Sequence, residues 1–453
     1  MKAPEWKQRV LLLTSDKEIE EKISAAFGTE TQLHIAKNHT EAFALLEANS
    51  FHVMIVDDVT LETKPHSEKE KPPSVAEMCQ CASQLNQQLT IVLLVHKLLA
   101  KEGDFARKSG ANLIMNRNDL SVNRMIYVIQ IMRKRTFRTL LGRDIPLNAV
   151  LPVDVWHYMP MSKRYLVFLQ AGDIFTETKK QKLSQTHVHH LFVKETDLGQ
   201  LDSLNLTYSK ELSSIRYQYQ QLLSQFFNFS SEGHLHFGLK VFKLGMEIVA
   251  SLEKLIDSFD SDYECLEELP YPRWSTLAHG INCAIYAIIF SKICKLSPVN
   301  EIAFAALIHN VGLSDVNQKL LNRREGDFSP AQLKEYKTHV ARAIEMSHAI
   351  QIPLTPLMES ILISHHENYD GTGFPSGLAG TLLPFEPGLM SIIGNYDYFN
   401  SVHPGTHALD PYEAWGQLKE LNATSTRMQR RFHPTLLAAI DQFFQNARDT
   451  QVK

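Results

Sequence analysis

Short apolar runs alternate with amphipathic stretches along the first 135 residues. Val10–Thr14 reads as an apolar strand, and Ile19–Phe27 follows with helical spacing. Leu33–Ala36 is strand-like, Glu41–Glu47 helical, and Val53–Val56 a further strand that ends in Asp57 and Asp58. Ile91–Val95, a helix near Phe105 and a strand at Leu113–Met115 complete the series. Strands alternating with helices predict a parallel sheet covered on both faces. The polar stretch LETKPHSEKEKPPS after Thr60 carries charge and proline in place of an apolar pattern and is expected to be a mobile loop.

Residues 136–203 carry a different rhythm. Val150–Val155, Tyr165–Leu169, Ile174–Phe175 and Leu191–Val193 read as short strands around a turn at Ala171-Gly172-Asp173, giving a small α+β domain. His187 and His189 would share one face of a strand, with His190 beside them. Nothing nearby in sequence completes a metal site, so these histidines are expected to be structural. Residues 204–260 turn helical. Tyr208, Leu212, Ile215, Tyr219, Leu222 and Phe226 follow coiled-coil spacing, Ser230, Ser231 and Gly233 interrupt it, and Leu244, Ile248, Leu252, Leu255 and Phe259 resume it. This linker is expected to pack within the chain or to carry a homodimer. The remainder, 261–453, reads as all-α.

Composition excludes more than it selects. The net charge of −4 gives no basic footprint for nucleic acid. No apolar run approaches the eighteen or so residues of a membrane span, and the N-terminus lacks the pattern of a secretory signal. The five cysteines fit no zinc spacing and read as reduced thiols, which implies a cytoplasmic protein. The 20 histidines are the compositional oddity, and they gather toward the C-terminal third.

That clustering follows the helices. His279 opens the helix Thr276–Lys295, His309-Asn310 ends the helix Asn300–Ile308, and Gly312 follows as a natural stop. His339 sits in a helix that starts near Ser329-Pro330. His365 and His366 close an apolar helical run and precede the turn Asp370-Gly371-Thr372-Gly373-Phe374-Pro375; Asp397 lies in the segment IIGNYDYF. Five histidines and one aspartate on apolar helices can converge in a bundle core and hold metal ions.

Two resemblances follow from these residues. The strand and helix order of residues 1–135 resembles a response-regulator receiver domain, a flavodoxin-like α/β fold. That likeness makes Asp57 the phosphoacceptor candidate. The acid pair expected to hold magnesium falls on Thr14 and Ser15, with Asp16 one place late; the expected hydroxyl is Val95 or His96, and the expected lysine is Arg117. A docking role without phosphorylation is therefore the expectation. The ordered set His279, His309, His339, His365-His366 and Asp397, with GTGFPSGL in place, resembles the HD-GYP family of metal-dependent cyclic-di-GMP phosphodiesterases. The resemblance implies divalent iron or manganese, with His279, His309 and Asp397 on one ion and His339, His365 and His366 on the other. It also implies that Asp370, Gly371, Gly373, Phe374 and Pro375 shape the substrate wall. Partners implied are cyclic-di-GMP or a related nucleotide, and a GGDEF diguanylate cyclase or another signalling protein.

The departures sit where the chemistry is. Asn310 stands where the family has a metal-bridging aspartate, so fewer ions are expected than the family's two or three. Ser275 stands where some members carry a glutamate ligand, Leu313 in place of a lysine, Thr406 with His407 in place of an arginine, and Asn400 in place of an aspartate. Phe374 replaces the signature tyrosine. Three readings stay open: an impaired module acting by ligand or partner binding, an active cyclic-di-GMP phosphodiesterase, and a hydrolase of another phosphoester.

Overall fold

The computed structural model describes residues 8–451 apart from 28–30, 62–72, 87–88, 97–109, 119, 133–136, 160–163, 203, 205, 228–234, 272–274, 322, 324, 404–407 and 425–429. The expected helix near Phe105, most of the expected loop 61–74, the interruption at Ser230–Gly233 and the position Thr406-His407 lie outside the described residues. The chain divides into two compact units, one of residues 1–134, 221–238 and 314–321, the other of 135–220, 239–313 and 322–453.

In the first unit, five parallel strands follow the order β2-β1-β3-β4-β5: β1 (Gln8–Leu13), β2 (Thr31–Ala36), β3 (Val53–Asp57), β4 (Thr90–Val95) and β5 (Ala111–Asn116). Every residue of β3 and β4 is buried, as a sheet covered on both faces requires, which is why both are unbroken apolar runs. Helices α1 (Lys17–Ala26), α2 (His39–Ala48), α3 (Asp58–Leu61), α4 (Val75–Leu85) and α5 (Val122–Met132) belong to the same unit. Helix α4 starts at a capping box in which Ser74 and Glu77 satisfy each other's backbone N–H groups. This strand order places its switch point between β1 and β3, where α/β sheets hold their chemistry, and Asp57 ends β3 there. Within this unit Arg124 of α5 grips Asp315 with two hydrogen bonds of 3.0 and 2.7 Å.

The second unit begins with an antiparallel sheet of order β6-β9-β7-β8, from β6 (Phe137–Leu141), β7 (Val155–Met159), β8 (Arg164–Leu169) and β9 (His190–Lys194). Two expected strands are corrected. Of Val150–Val155 only Val155 is in a strand, as the first residue of β7, and Ile174–Phe175 is not a strand; the two segments share a single bridge, Val150 to Ile174, within a loop held by the Leu151–Asp173 and Ala149–Phe175 backbone hydrogen bonds. His187 is not in a strand either. It lies in the turn after α6 (Glu177–Gln185), with φ of 50°.

Helices α7 (Thr207–Phe227) and α8 (Leu235–Ile256) follow. Leu212, Ile215, Tyr219, Leu222 and Phe226, expected as a coiled-coil seam, are all buried inside the chain. That apolar stripe is consumed by intrachain packing, not held out for a partner helix.

The helical part of the second unit contains α9 (Asp262–Glu268), α10 (Thr276–Cys294), α11 (Val299–Ile308), α12 (Pro330–Lys337), α13 (His339–Ala349), α14 (Pro356–Ser364), α15 (Phe385–Asn400), α16 (Pro411–Ala423) and α17 (Pro434–Gln451). Helix α10 is its axis. It is long and apolar enough to cross a membrane, contrary to the expectation from the sequence, yet 78% of its apolar window is buried in the protein. It therefore reads as the core helix of the bundle, packing on α11 and α15. The helix expected to run from Pro330 through His339 is broken at Thr338, so His339 opens α13. Gly312 does more than stop a helix. A Cβ there would lie 2.0 Å from the His339 carbonyl oxygen, so the turn after α11 approaches α13 closely only because position 312 has none.

Candidate metal centre

Helix ends deliver the donors. His309 caps the C-terminus of α11, His339 begins α13, and His365 with His366 follows the last turn of α14. The Nδ1 atoms of His309, His339 and His365 each bond the backbone carbonyl three residues earlier, Ala306, Tyr336 and Leu362, at 2.7, 2.7 and 2.8 Å. A carbonyl only accepts, so each Nδ1 carries the proton and each Nε2 keeps a lone pair. His279 is set in the same way by Asp397, whose Oδ2 lies 2.6 Å from its Nδ1.

These lone pairs face one another. His279 Nε2 and His309 Nε2 are 3.2 Å apart, and His339 Nε2 and His365 Nε2 are also 3.2 Å apart. With no proton between them, such pairs repel. Two nitrogens each about 2.1 Å from one ion would stand at a similar separation. Burial pushes His309, His365 and His366 well below the usual imidazole range and His339 down to about 4, with neighbouring imidazoles adding to the effect in each case. At neutral pH these rings are therefore uncharged, the state that ligates metal. His366 Nε2 and Asn310 Oδ1 are buried with no hydrogen-bond partner. Orphaned acceptors cost free energy in a folded core, and a dication is the partner that would satisfy them. The residues fit a metal.

The donors form two groups, each with ligand atoms within 4.8 Å of one another: His279, Cys283 and His309, and His339, His365 and His366. The second group is the expected one. In the first, the Asp397 carboxylate lies on the Nδ1 side of His279, and the Cys283 sulfur stands close to the His279 and His309 donor atoms. That sulfur is 3.6 and 3.7 Å from the two His279 ring nitrogens. Cys283 was legible in principle, since it stands four residues after His279 on one face of α10. Asn282, the other residue sequence reasoning passed over, clamps Asp397 at 2.8 Å and the Tyr271 backbone at 2.8 and 3.1 Å. Burial pushes the Cys283 thiol far up, and the Asp397 charge adds to this.

The loop after His366 is organised by Glu367, fully buried, which accepts from the backbone N–H groups of Ser376, Gly377 and Leu378 at 2.6, 3.0 and 3.0 Å. At Gly373 a Cβ would meet three backbone atoms at 2.4 Å, which is why the loop can fold back onto His366. Phe374 then stacks on the His366 ring at 4.5 Å, with Lys337 4.9 Å over its outer region. Asp370 is spent on the loop itself, accepting from the Thr372 backbone and hydroxyl at 2.9 and 2.5 Å. Of the expected wall residues, Phe374 touches the histidines; Asp370 supports the turn. Among the departures, Ser275 is the N-cap of α10, Leu313 is buried, and Asn400 donates to the Tyr286 hydroxyl at 2.9 Å.

The receiver-like unit has its own polar site. Asp57 is fully buried and accepts from Thr14 Oγ1 and Arg117 Nε, both at 2.8 Å. Arg117 also pairs with Asp16, which caps α1. A guanidinium thus occupies the charge that a metal ion and a phosphoryl group would otherwise meet.

Residues 287–428 match the family model described as HD domain. A cyclic di-GMP phosphodiesterase of Thermotoga maritima is 26% identical over 124 residues, 27% of this chain and 33% of that protein. The cyclic di-GMP phosphodiesterase response regulator RpfG of Xanthomonas campestris is 26% identical over 142 residues, 31% of this chain and 36% of that one. The chain thus spans about a third of the length of these curated relatives. The solved structure of Bd1817, an HDG"Y"P protein of Bdellovibrio bacteriovorus, aligns with a TM-score of 0.38 at 12% identity, covering 68% of this chain and 99% of that one. Residues 287–428 thus match an HD-domain model and are similar to cyclic-di-GMP phosphodiesterases, and they follow an N-terminal five-stranded parallel α/β sheet of flavodoxin-like order.

Proposed function

We propose that this protein works in cyclic-dinucleotide signalling through a metal-binding HD site whose hydrolytic power is reduced. The observation that carries the reading is the pair of facing Nε2 lone pairs beside the orphaned Asn310 amide oxygen. His339, His365 and His366 would hold one ion; His279 and His309, with Cys283 beside them, would hold the other, with Asp397 orienting His279. When bound, such ions supply an activated water at neutral pH and neutralise phosphodiester charge. This chain's own residues position them. The three backbone carbonyls fix the tautomers, Asn282 fixes Asp397, and Phe374 shields one face of His366.

Reduced turnover follows from charge. Asn310 offers a neutral amide oxygen where a bridging acid would offset two dications, and Leu313 cannot donate to a phosphate. Binding of the nucleotide, or of a signalling partner such as a diguanylate cyclase, then becomes the working output, in the cytoplasm where five free cysteines are stable. An active phosphodiesterase is the second reading. It is favoured by Cys283, which as a thiolate would return a negative donor to the first group. Incubation of the manganese- or iron-loaded protein with cyclic-di-GMP and other 3′,3′-cyclic dinucleotides tests both. Tight binding with at most trace linear product supports the first reading, and robust product that vanishes in His366→Ala supports the second. No metal retained after loading would overturn both.

A further inference from the structure

A second set of metal-ligating side chains lies outside the HD centre. His187, His189 and Glu267 bring their donor atoms within 4.8 Å of one another. Two come from the segment between α6 and β9, and the third from α9, 78 residues further on. Their approach is built in. The His190 ring bonds the Glu268 carbonyl at 2.8 Å, which fixes the start of β9 against the end of α9 and so sets His189 beside Glu267. Arg143, from the turn after β6, pairs with Glu264 at 3.2 Å and with Glu268 at 3.5 Å, the carboxylates on either side of Glu267 along α9.

His187 adds an independent observation. It occupies the left-handed position just after a helix, where glycine fits at least cost, and the Val188 N–H closes the turn on the Leu183 carbonyl at 2.9 Å. The chain places an imidazole at this strained point. The three residues line one wall of a cavity of about 730 Å³, whose other walls include Lys180, Asp410, Tyr412 and Arg448.

We propose that His187, His189 and Glu267 form a second metal site, taking one transition-metal dication of the zinc class. Two imidazoles and one carboxylate suit a borderline metal, whereas calcium or magnesium would call for oxygen donors throughout. Donors on one zinc stand roughly 3 to 3.5 Å apart, a closure that the exposed His187 side chain can make by rotation. Three protein ligands leave a fourth coordination position for water or another small ligand.

The test uses the full chain, stripped of metal, with Zn2+ itself as the probe. In a His309→Ala, His365→Ala, His366→Ala background, which removes donors from both HD groups, equilibrium dialysis should show a bound equivalent of zinc and a rise in Tm on adding it. Glu267→Gln, which keeps shape, and separately His187→Ala should each weaken that equivalent by at least about tenfold and abolish the Tm rise. Zinc binding in this background that neither substitution changes, or no zinc binding at all, overturns the proposal. Should the background variant fail to fold, the same titration on the otherwise native chain must lose a single equivalent in Glu267→Gln while binding at the HD centre persists; an unchanged total overturns it.

Discussion

The receiver-like unit and the HD unit each lack acids that their resemblances led us to expect, and the two positions are handled in opposite ways. In the receiver-like unit, Arg117 has moved into the vacated charge and holds Asp57 and Asp16 directly. Its acceptors are partnered. In the HD unit nothing has moved in: two pairs of nitrogen lone pairs face each other, and Asn310 Oδ1 and His366 Nε2 stay orphaned. With a guanidinium in place the Asp57 site closes on itself, whereas the HD cluster keeps the cost of open donors, as the proposed metal site would in the free protein. The contrast makes the HD cluster, and not the aspartate, the place to look for ligand-dependent behaviour.

The strongest way to break this contrast is to remove the internal cation. Arg117→Ala leaves Asp57 buried without its charge partner and should cost about 3 to 5 kcal/mol in urea unfolding followed through the first unit. If the loss is negligible, Asp57 is not held by Arg117 and the closed-site description fails. Next in size, His366→Ala should reduce metal retention on the order of a hundredfold, measured by metal analysis after dialysis, with little change in Tm of the metal-free protein. A metal-free protein that loses stability instead would mean that the cluster is structural.

Gly312→Ala should destabilise the chain by about 2 to 3 kcal/mol, read from denaturant midpoints, because backbone atoms of α13 must shift to admit a methyl group. The smallest effect sharpens the comparison most. Asn310→Asp should tighten metal binding on the order of tenfold, by restoring a charge beside the open donors. Unchanged affinity would show that the amide is not what limits the site.

Much of this was legible in the sequence. Strands β1, β3 and β4 announce themselves because strands buried on both faces must be unbroken apolar runs. His309, His365 and His366 stand out because each sits where an apolar helical pattern ends. What stayed hidden depended on contacts between distant segments. The strand expected at Val150–Val155 failed because its apolar residues fill a loop around one bridge. Neither strand β6 nor helix α5 was anticipated, although the apolar residues of α5 follow helical spacing. That His187 and His189 would meet Glu267 could not be read from spacing, since helix α9 reaches them only through the packing of His190 on Glu268. Asp397 could be named from the sequence, but its hydrogen bond to His279 Nδ1 is a matter of side-chain geometry alone.

The missing methyl at Gly312 has an evolutionary reading. Position 312 touches no ion, yet the carbonyl of His339 lies where its side chain would begin, so the spacing of two ligand-bearing segments is written into a single absent carbon. A mutagenesis library selected for metal retention would therefore recover glycine there as strictly as it recovers the histidines. A catalogue of sequences would then score the position as catalytic when its contribution is purely one of clearance.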